Sequence, residues 1–462
     1  MDPRLAAAVS AGKLAGRASR LAGRGGGTAV TGLVAERLAP GLLAGLGRQL
    51  GAGSLLVTGT NGKTTTTKLL ATILDRAGEP YLTNRTGSNL TRGLVTTLIG
   101  ASDPLGRLRG AGGRVGLFEV DEATMPAAAR ALQPRVLVFT NLFRDQLDRY
   151  GEVDTVAAMW REALAVTPKT ATLVLNADDP SVAALGREWP GSVHWFGVDD
   201  PALASETPGA IDARWCASCG GTFEYALRYF GHAGHWRCRG CGWARPTPDT
   251  IATNVRLGLE TAGFEVAGLG AIELGVTGLY NVINGLAATA AARVLGIAAP
   301  AIREGLAAGQ AAFGRQEKVQ YEGRTLRLLL CKNPAGANQI LLWLAALANQ
   351  GLGPFTVAAL LNDNFADGQD VSWIWDVDYE PLAGHVRMAF AGGARADDMA
   401  LRLTYAGWPE PVVASTPAEL LDALVAATPA GADVFVIPTY TAMLELRAEL
   451  ARRGAVAHFW SE

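Results

Sequence analysis

The amino-acid sequence predicts an α/β fold, a doubly wound and mostly parallel sheet that carries a four-cysteine insertion and is followed by a smaller α/β unit. Three observations carry this expectation. Short apolar runs, each ending in a polar or acidic loop and followed by helical sequence, recur along the first half of the chain. One of them breaks into closely spaced glycines, a lysine and threonines where a helix can begin. Cys216, Cys219, Cys238 and Cys241 fall as two C-x2-C pairs separated by eighteen residues.

Length and charge bound the rest. A chain of 462 residues and 48.2 kDa exceeds one ordinary core. The expected division is a helical arm over 1–50, a central domain over 51–300 with the insertion at 211–246, and a C-terminal α/β domain over 312–462. A net charge of −2 and a pI of 6.3 give no electrostatic case for binding nucleic acid. No apolar run is long enough to span a bilayer. The segment MDPRLAAAVSAGKLAGRASRLAGRGGG has basic residues throughout and no separate apolar stretch with a cleavage site, so a cytoplasmic protein is expected. Those basic residues among Leu, Ala and Val admit two readings. A docking arm or helical cap is favoured; the other is a helix touching a membrane surface, at its inner face.

The run LLVTGTNGKTTT at 55–66 is read as a phosphate cradle. Gly59 and Gly62 let backbone N–H groups approach an anion, the following helix adds its positive end, and Lys63 reaches terminal phosphates while Thr64 offers a hydroxyl to Mg²⁺. Val57 stands where the strict G-x-x-x-x-G-K-[ST] form has its first glycine. The plainer reading, a glycine turn with a solvated lysine, is disfavoured by the strand before it and the helical KLLATILDRAG after it.

Further strands deliver polar residues in order. VGLFEV at 115–120 ends in Glu119, then Asp121 and Glu122; Glu119 is the candidate second Mg²⁺ contact, the alternative being acids that cap the next helix. Val136 to Thr140 delivers Asn141, Asp145 and Asp148, and ATLVLNADDPSV ends in Asn176, Asp178 and Asp179. After the insertion, GVTGLYNVINGLAATAAARVLG opens a long Ala-rich helix.

The cysteine pairs suit one tetrahedral Zn²⁺ in a closed, structural site, each followed by a glycine turn at Gly220 or Gly242. Two disulfides are the competing reading, which a reducing compartment disfavours. His232 and His235, between the pairs, could replace a cysteine as ligand, but four thiolates already close the site and they are taken as ordinary ribbon residues; Cys331 is taken as the buried end of a strand.

GTNGKTT at 59–65, Glu119, the N-x-x-x-D-x-x-D run from Asn141, NADDP at 176–180 and GLYNVINGLAA at 278–288 together resemble the Mur ligase superfamily, across most of the chain. The resemblance implies a Mur ligase-type ATPase domain in which ATP and Mg²⁺ convert a substrate carboxylate to an acyl phosphate that an amine attacks. It assigns Gly59, Thr60, Asn61, Gly62, Lys63, Thr64 and Thr65 to phosphate and Mg²⁺, Glu119 to Mg²⁺, Asn281 to the adenine or ribose, and Arg315 to ATP on closure. Gln146 and Tyr280 depart from the histidines usual at their positions. The region before the cradle is shorter than a UDP-binding domain, so a UDP-sugar pocket is not expected.

The cysteine insertion and the stretch LLNDNFADGQDVSWIWDVDYE resemble the superfamily members that amidate rather than add an amino acid. That implies conversion of the α-carboxylate of D-glutamate in lipid II, or a related D-glutamyl peptidoglycan precursor, to D-isoglutamine. The ammonia would come from a glutamine amidotransferase subunit (GatD-like), because no cysteine here is placed as a glutaminase nucleophile. Among Asp363, Asp367, Asp370, Asp376 and Asp378, the resemblance implies one that completes the partner's Cys–His pair. Asp370 is the first choice and Asp367 the second; an acidic surface loop is the plain alternative. The runner-up activity is an amino-acid-adding ligase of folylpolyglutamate type. A non-catalytic binding module is disfavoured by Lys63, Thr64 and Glu119.

Overall fold

The computed structural model describes residues 3–21, 28–84, 88–145, 153–205, 212–310 and 315–456. Gln146, Asp148 and the expected domain boundaries at 211 and 312 lie outside the described residues.

The central sheet is built from β1 (Ser54–Thr58), β2 (Tyr81–Thr83), β3 (Val115–Glu119), β4 (Val136–Phe139), β5 (Thr172–Asn176) and β6 (Val193–Val198). The hairpin β7 (Phe223–Phe230) and β8 (Ala233–Cys238) stands apart as its own two-stranded sheet, and β9 (Thr250–Leu257), β10 (Ala262–Val266) and β11 (Gly270–Leu274) return to the main one. The nine strands run in the order β11-β10-β9-β6-β5-β4-β1-β3-β2, all in one direction except β10, which pairs antiparallel with both β9 and β11. Every residue of β1, β3 and β4 is buried, as a parallel sheet covered on both faces requires.

Side chains alternate between two cores. Leu55 and Val57 join helices Lys63–Ala77 and Leu279–Val294 on one face. Leu56 joins helices Thr91–Ala101, Met125–Leu132 and Val153–Val166 on the other. Helices Pro3–Leu21, Thr28–Leu38 and Leu42–Gly47 bury Ala8, Val9, Ala35, Leu42 and Leu46 in this second core, so they lie as a cap on the sheet. Among the described residues no helix is long and apolar enough to cross a membrane.

Winding reverses at β1, which pairs with β3 on one side and β4 on the other, in registers that set Val57 beside Glu119 and Thr58 beside Phe139. The crevice of such a sheet opens beyond the carboxyl ends of the strands at this reversal, where three polar loops meet.

A second sheet follows, of β12 (Arg315–Tyr321), β13 (Arg324–Leu329), β14 (Phe355–Leu360), β15 (Val386–Gly392), β16 (Val412–Ala414) and β17 (Asp433–Pro438). Its order is β12-β13-β17-β14-β15-β16, parallel but for the β12–β13 hairpin. Helix Pro334–Asn349 starts with Pro334 behind an Asn333 cap whose side chain accepts from Gly336 N–H at 2.8 Å. Helix Pro417–Ala427 starts with a reciprocal Thr416–Glu419 capping box. Arg327 of β13 joins the sheets by donating to Glu260 at 2.8 Å.

Candidate functional site

The loop after β1 needs its glycines. Gly59 and Gly62 have φ of 140° and 87°. A Cβ on Gly59 would come within 2.0 Å of Thr140 Oγ1, and one on Gly62 within 2.0 Å of Asn284 Oδ1. Among the described residues no side chain caps the helix that begins at Lys63, so its first N–H groups are left for an anion.

Lys63 is buried, and its Nζ donates to Gly59 O at 2.5 Å, Thr60 O at 3.3 Å and Glu122 Oε1 at 2.8 Å. The other cradle side chains hold its shape. Thr60 Oγ1 accepts from Phe143 N–H and donates to Phe143 O, both at 3.0 Å. Asn61 and Asn141 exchange hydrogen bonds of 2.9 and 3.0 Å, and Thr140 Oγ1 donates to Asn61 O at 2.7 Å. Thr64 is half-buried and Thr65 buried in the first helical turn. Glu119 is buried at the end of β3; Asn89 donates to its Oε1 at 3.3 Å, and Asn84 bonds its backbone in both directions. Hydroxyl and carboxylate oxygens of this kind suit a hard divalent cation.

The second sheet supplies residues that no motif flagged. Asn333 and Asn61 exchange side-chain hydrogen bonds of 3.3 and 3.4 Å, and Lys332 pairs with Asp145. Glu122, Asn284, Lys332 and Asn333 are the site residues that sequence reasoning missed. The carboxylate cluster after β3 and the K-N-P start of a helix were the available signals. Asn281 is buried and turned away from the crevice, its Nδ2 donating to Thr277 O at 2.8 Å, while Tyr280 and Asn284 of the same helix line it. Arg315 opens β12.

NADDP is a bracing hub. Asn176 Nδ2 donates to Thr140 O at 2.9 Å, and Asp178 accepts from Val198 N–H at 2.8 Å and Arg245 Nε at 2.7 Å. Asp179 caps the following helix and takes Leu142 N–H at 2.7 Å.

All four cysteine sulfurs of the ribbon lie within 4.8 Å of one another, with Cys219–Cys238 at 3.4 Å and Cys216–Cys241 at 3.9 Å. A tetrahedral zinc with Zn–S of about 2.3 Å sets sulfurs about 3.8 Å apart, so the donor set fits; a disulfide needs about 2.05 Å, and the cysteines are free. Gly220 and Gly242 turn the two knuckles with φ of 70° and 74°. Among the described residues no histidine belongs to this cluster. His232 and His235 instead face the central sheet: His235 Nε2 lies 3.0 Å from Val198 O, and His232 is buried beside Asp179.

The aspartates of 363–378 separate by environment. Asp367 is buried and accepts from Thr441 N–H at 2.7 Å and Thr441 Oγ1 at 2.5 Å, at the start of helix Tyr440–Arg452. Asp370 is exposed and caps the short helix Val371–Asp376, where Ser372 holds its carboxyl below the usual carboxylate range. Asp376 pairs with Arg144 at 2.5 Å and Asp363 with Arg395 at 3.1 Å; Asp378 is half-buried. Cys331 is buried in the wall of the crevice, between Leu330 and Lys332.

Comparison with known proteins agrees with this arrangement. Residues 57–231 match the family model of the Mur ligase middle domain, and residues 330–443 match that of the MurT ligase C-terminal region. The chain is 36% identical to the lipid II isoglutaminyl synthase (glutamine-hydrolyzing) subunit MurT of Streptococcus pneumoniae, over 96% of this chain and 97% of that one. It is 29% identical to the MurT subunit of Staphylococcus aureus over the same shares of the two chains. Among solved structures, a pseudomurein peptide ligase type C from Methanothermus fervidus shares the fold with a TM-score of 0.65 at 22% identity, covering 87% of this chain and 78% of that one. The chain belongs to the MurT family, the Mur ligase-type subunits of lipid II isoglutaminyl synthase.

Proposed function

We propose that this chain activates the α-carboxylate of the D-glutamyl residue in the lipid II stem peptide with ATP, and that ammonia then converts it to the amide of D-isoglutamine. A carboxylate oxygen attacks the γ-phosphorus and ADP leaves. Ammonia then attacks the carbonyl carbon, and inorganic phosphate departs with that oxygen. What carries the reading is the convergence, at one crevice, of the Gly59–Thr65 cradle, the buried Lys63–Glu122 pair and Asn333 of the second sheet.

In this scheme the helix N-terminus and Lys63 bind the phosphates, Lys63 exchanging Glu122 and the loop carbonyls for phosphate oxygens. Thr64 and Glu119 would hold Mg²⁺, which neutralises charge on the phosphates when bound. Tyr280 and Asn284 offer walls for the nucleoside, with Asn281 bracing Asn284 at 3.3 Å, and Arg315 would reach ATP on closure. Zinc in the ribbon would be structural, since four thiolates leave no open position. A GatD-like glutaminase subunit would supply ammonia, with exposed Asp370 orienting its histidine. A lipid-linked acceptor would bring the complex to the inner face of the membrane.

The test is oxygen transfer. With ¹⁸O in the α-carboxylate and ammonium as nitrogen donor, one label should appear in the released phosphate. Unlabelled phosphate would refute the acyl phosphate, and uptake of an amino acid in place of ammonium would favour the amino-acid-adding reading.

A further inference from the structure

Loop 140–145 grips the cradle through Asn141 and Phe143, and the same loop is backed by the cysteine ribbon. Arg144 N–H donates to Asp212 Oδ2 at 2.9 Å, Leu142 N–H donates to Asp179 Oδ2 at 2.7 Å, and the Phe143 ring lies 4.3 Å from the His232 ring, centre to centre. His232 occupies the turn between β7 and β8 and is wholly buried. Its Nε2 stands 3.3 Å from the Asp179 oxygen that holds Leu142, off the axis of a hydrogen bond, and Nδ1 has no partner among the described residues.

Burying an imidazole without in-line hydrogen bonds costs the ribbon stability that an apolar side chain would not. The hairpin is seated independently by Gly234 N–H on Asp178 O at 2.9 Å and Trp236 Nε1 on Ala177 O at 3.0 Å. Its flanking residues Phe230 and Ala233 line the crevice beside Asn61 and Gly62.

We infer that His232 is a positioning residue for the nucleotide: between Asp179 and the Phe143 ring it sets the height of loop 140–145 against the cradle, so that the ribbon tunes ATP affinity. The inference rests on the reading that the cradle binds ATP. The path is short. His232 meets Phe143, the Phe143 backbone meets Thr60, and Asn141 meets Asn61, so a shift at the hairpin tip reaches the phosphate-binding N–H groups through two layers of contact.

The experiment is a direct titration of Mg·ATP into the full complex carrying His232→Leu, His232→Gln or Asp212→Ala, with zinc content and Tm measured alongside. His232→Leu should weaken ATP roughly tenfold. His232→Gln, which keeps a polar side chain of similar reach between Asp179 and the Phe143 ring, should recover most of that loss. Asp212→Ala, which releases Arg144 N–H and leaves His232 in place, should weaken ATP by about threefold. Zinc content, and KM for ammonium, should stay at the parent values. ATP binding by His232→Leu within twofold of the parent would overturn the inference. So would equal losses in the Leu and Gln variants that track a falling Tm or zinc content, since that is a merely structural role. Lys63→Ala is run in parallel: if it and the parent bind ATP alike, the cradle reading fails, a result distinct from failure at His232.

Discussion

Lys63 Nζ lies 2.8 Å from Glu122 Oε1, and both side chains are buried. Burial pulls the ammonium's pKa down, but the charge and hydrogen bond of Glu122, with Asp121 and Glu119, outweigh it and leave Lys63 raised. Burial pushes Glu122 up, against the pull of Lys63 and Lys332. We assign the lysine as charged, because three carboxylates face it. The acids therefore hold a cation in place for a phosphate to claim.

Lys63→Ala should lower ATP turnover by about 10²–10³-fold, as loss of a phosphate-binding cation does. It should also lower stability by about 3 kcal/mol, because Glu122 is left buried without its partner. Adding Glu122→Gln should restore stability and not turnover. Denaturant midpoints and ATPase rates separate the two effects, and recovery of turnover in the double variant would refute the role given to Lys63.

Asp367 and Asp370 should behave differently although three residues apart. Asp370→Asn is expected to suppress glutamine-dependent amidation while ammonium-dependent amidation persists, since the exposed carboxylate is the one free to meet a partner. Asp367→Ala should cost about 1–2 kcal/mol by uncapping Thr441 N–H, with the glutamine-to-ammonium activity ratio unchanged. A reversed pattern would transfer the partner role to Asp367.

Metal removal has a countable outcome. Chelation should release a single zinc per chain and make Cys216, Cys219, Cys238 and Cys241 available to an alkylating reagent. Cys331 should stay unlabelled until the chain unfolds, because burial pushes its thiol up to about 12. Labelling of the four ribbon thiols at the same rate with and without chelator would argue against a bound metal.

Cys331 also predicts a pH dependence. Its pKa in the folded chain is raised above the ordinary value of 9.0, so its contribution to stability is complete below 9.0 and is lost as pH rises toward 12. The loss is up to about 1.4 kcal/mol per pH unit. Between pH 9 and 11 the urea midpoint of the parent should fall more steeply than that of Cys331→Ala. Parallel curves would show that other groups account for the decline.

Strand order aside, much of the central sheet was legible in the sequence, because each strand there is a self-contained apolar run followed by a polar loop. β4 ends one residue before the expected Thr140, whose hydroxyl is drawn off to Asn61 O. The cradle glycines were legible for the same reason: the conformation at Gly59 and Gly62 is a property of a few consecutive residues, and so is the spacing of each cysteine pair. Asn281 shows the limit. The family resemblance pointed to the right helix, but Asn284, one turn on, faces Gly62.

What the sequence by itself determined was the local chemistry: a glycine turn ahead of a helix, four thiols paired two by two, acids at strand ends. The tertiary structure alone decided which of those groups meet. Glu122 takes Lys63, Asn333 reaches Asn61 from the second sheet, and His232 at the tip of the ribbon hairpin packs against Phe143. Contacts of that kind depend on strand register and on how two sheets pack, quantities set by the burial of whole faces, which the spacing of neighbouring residues does not encode.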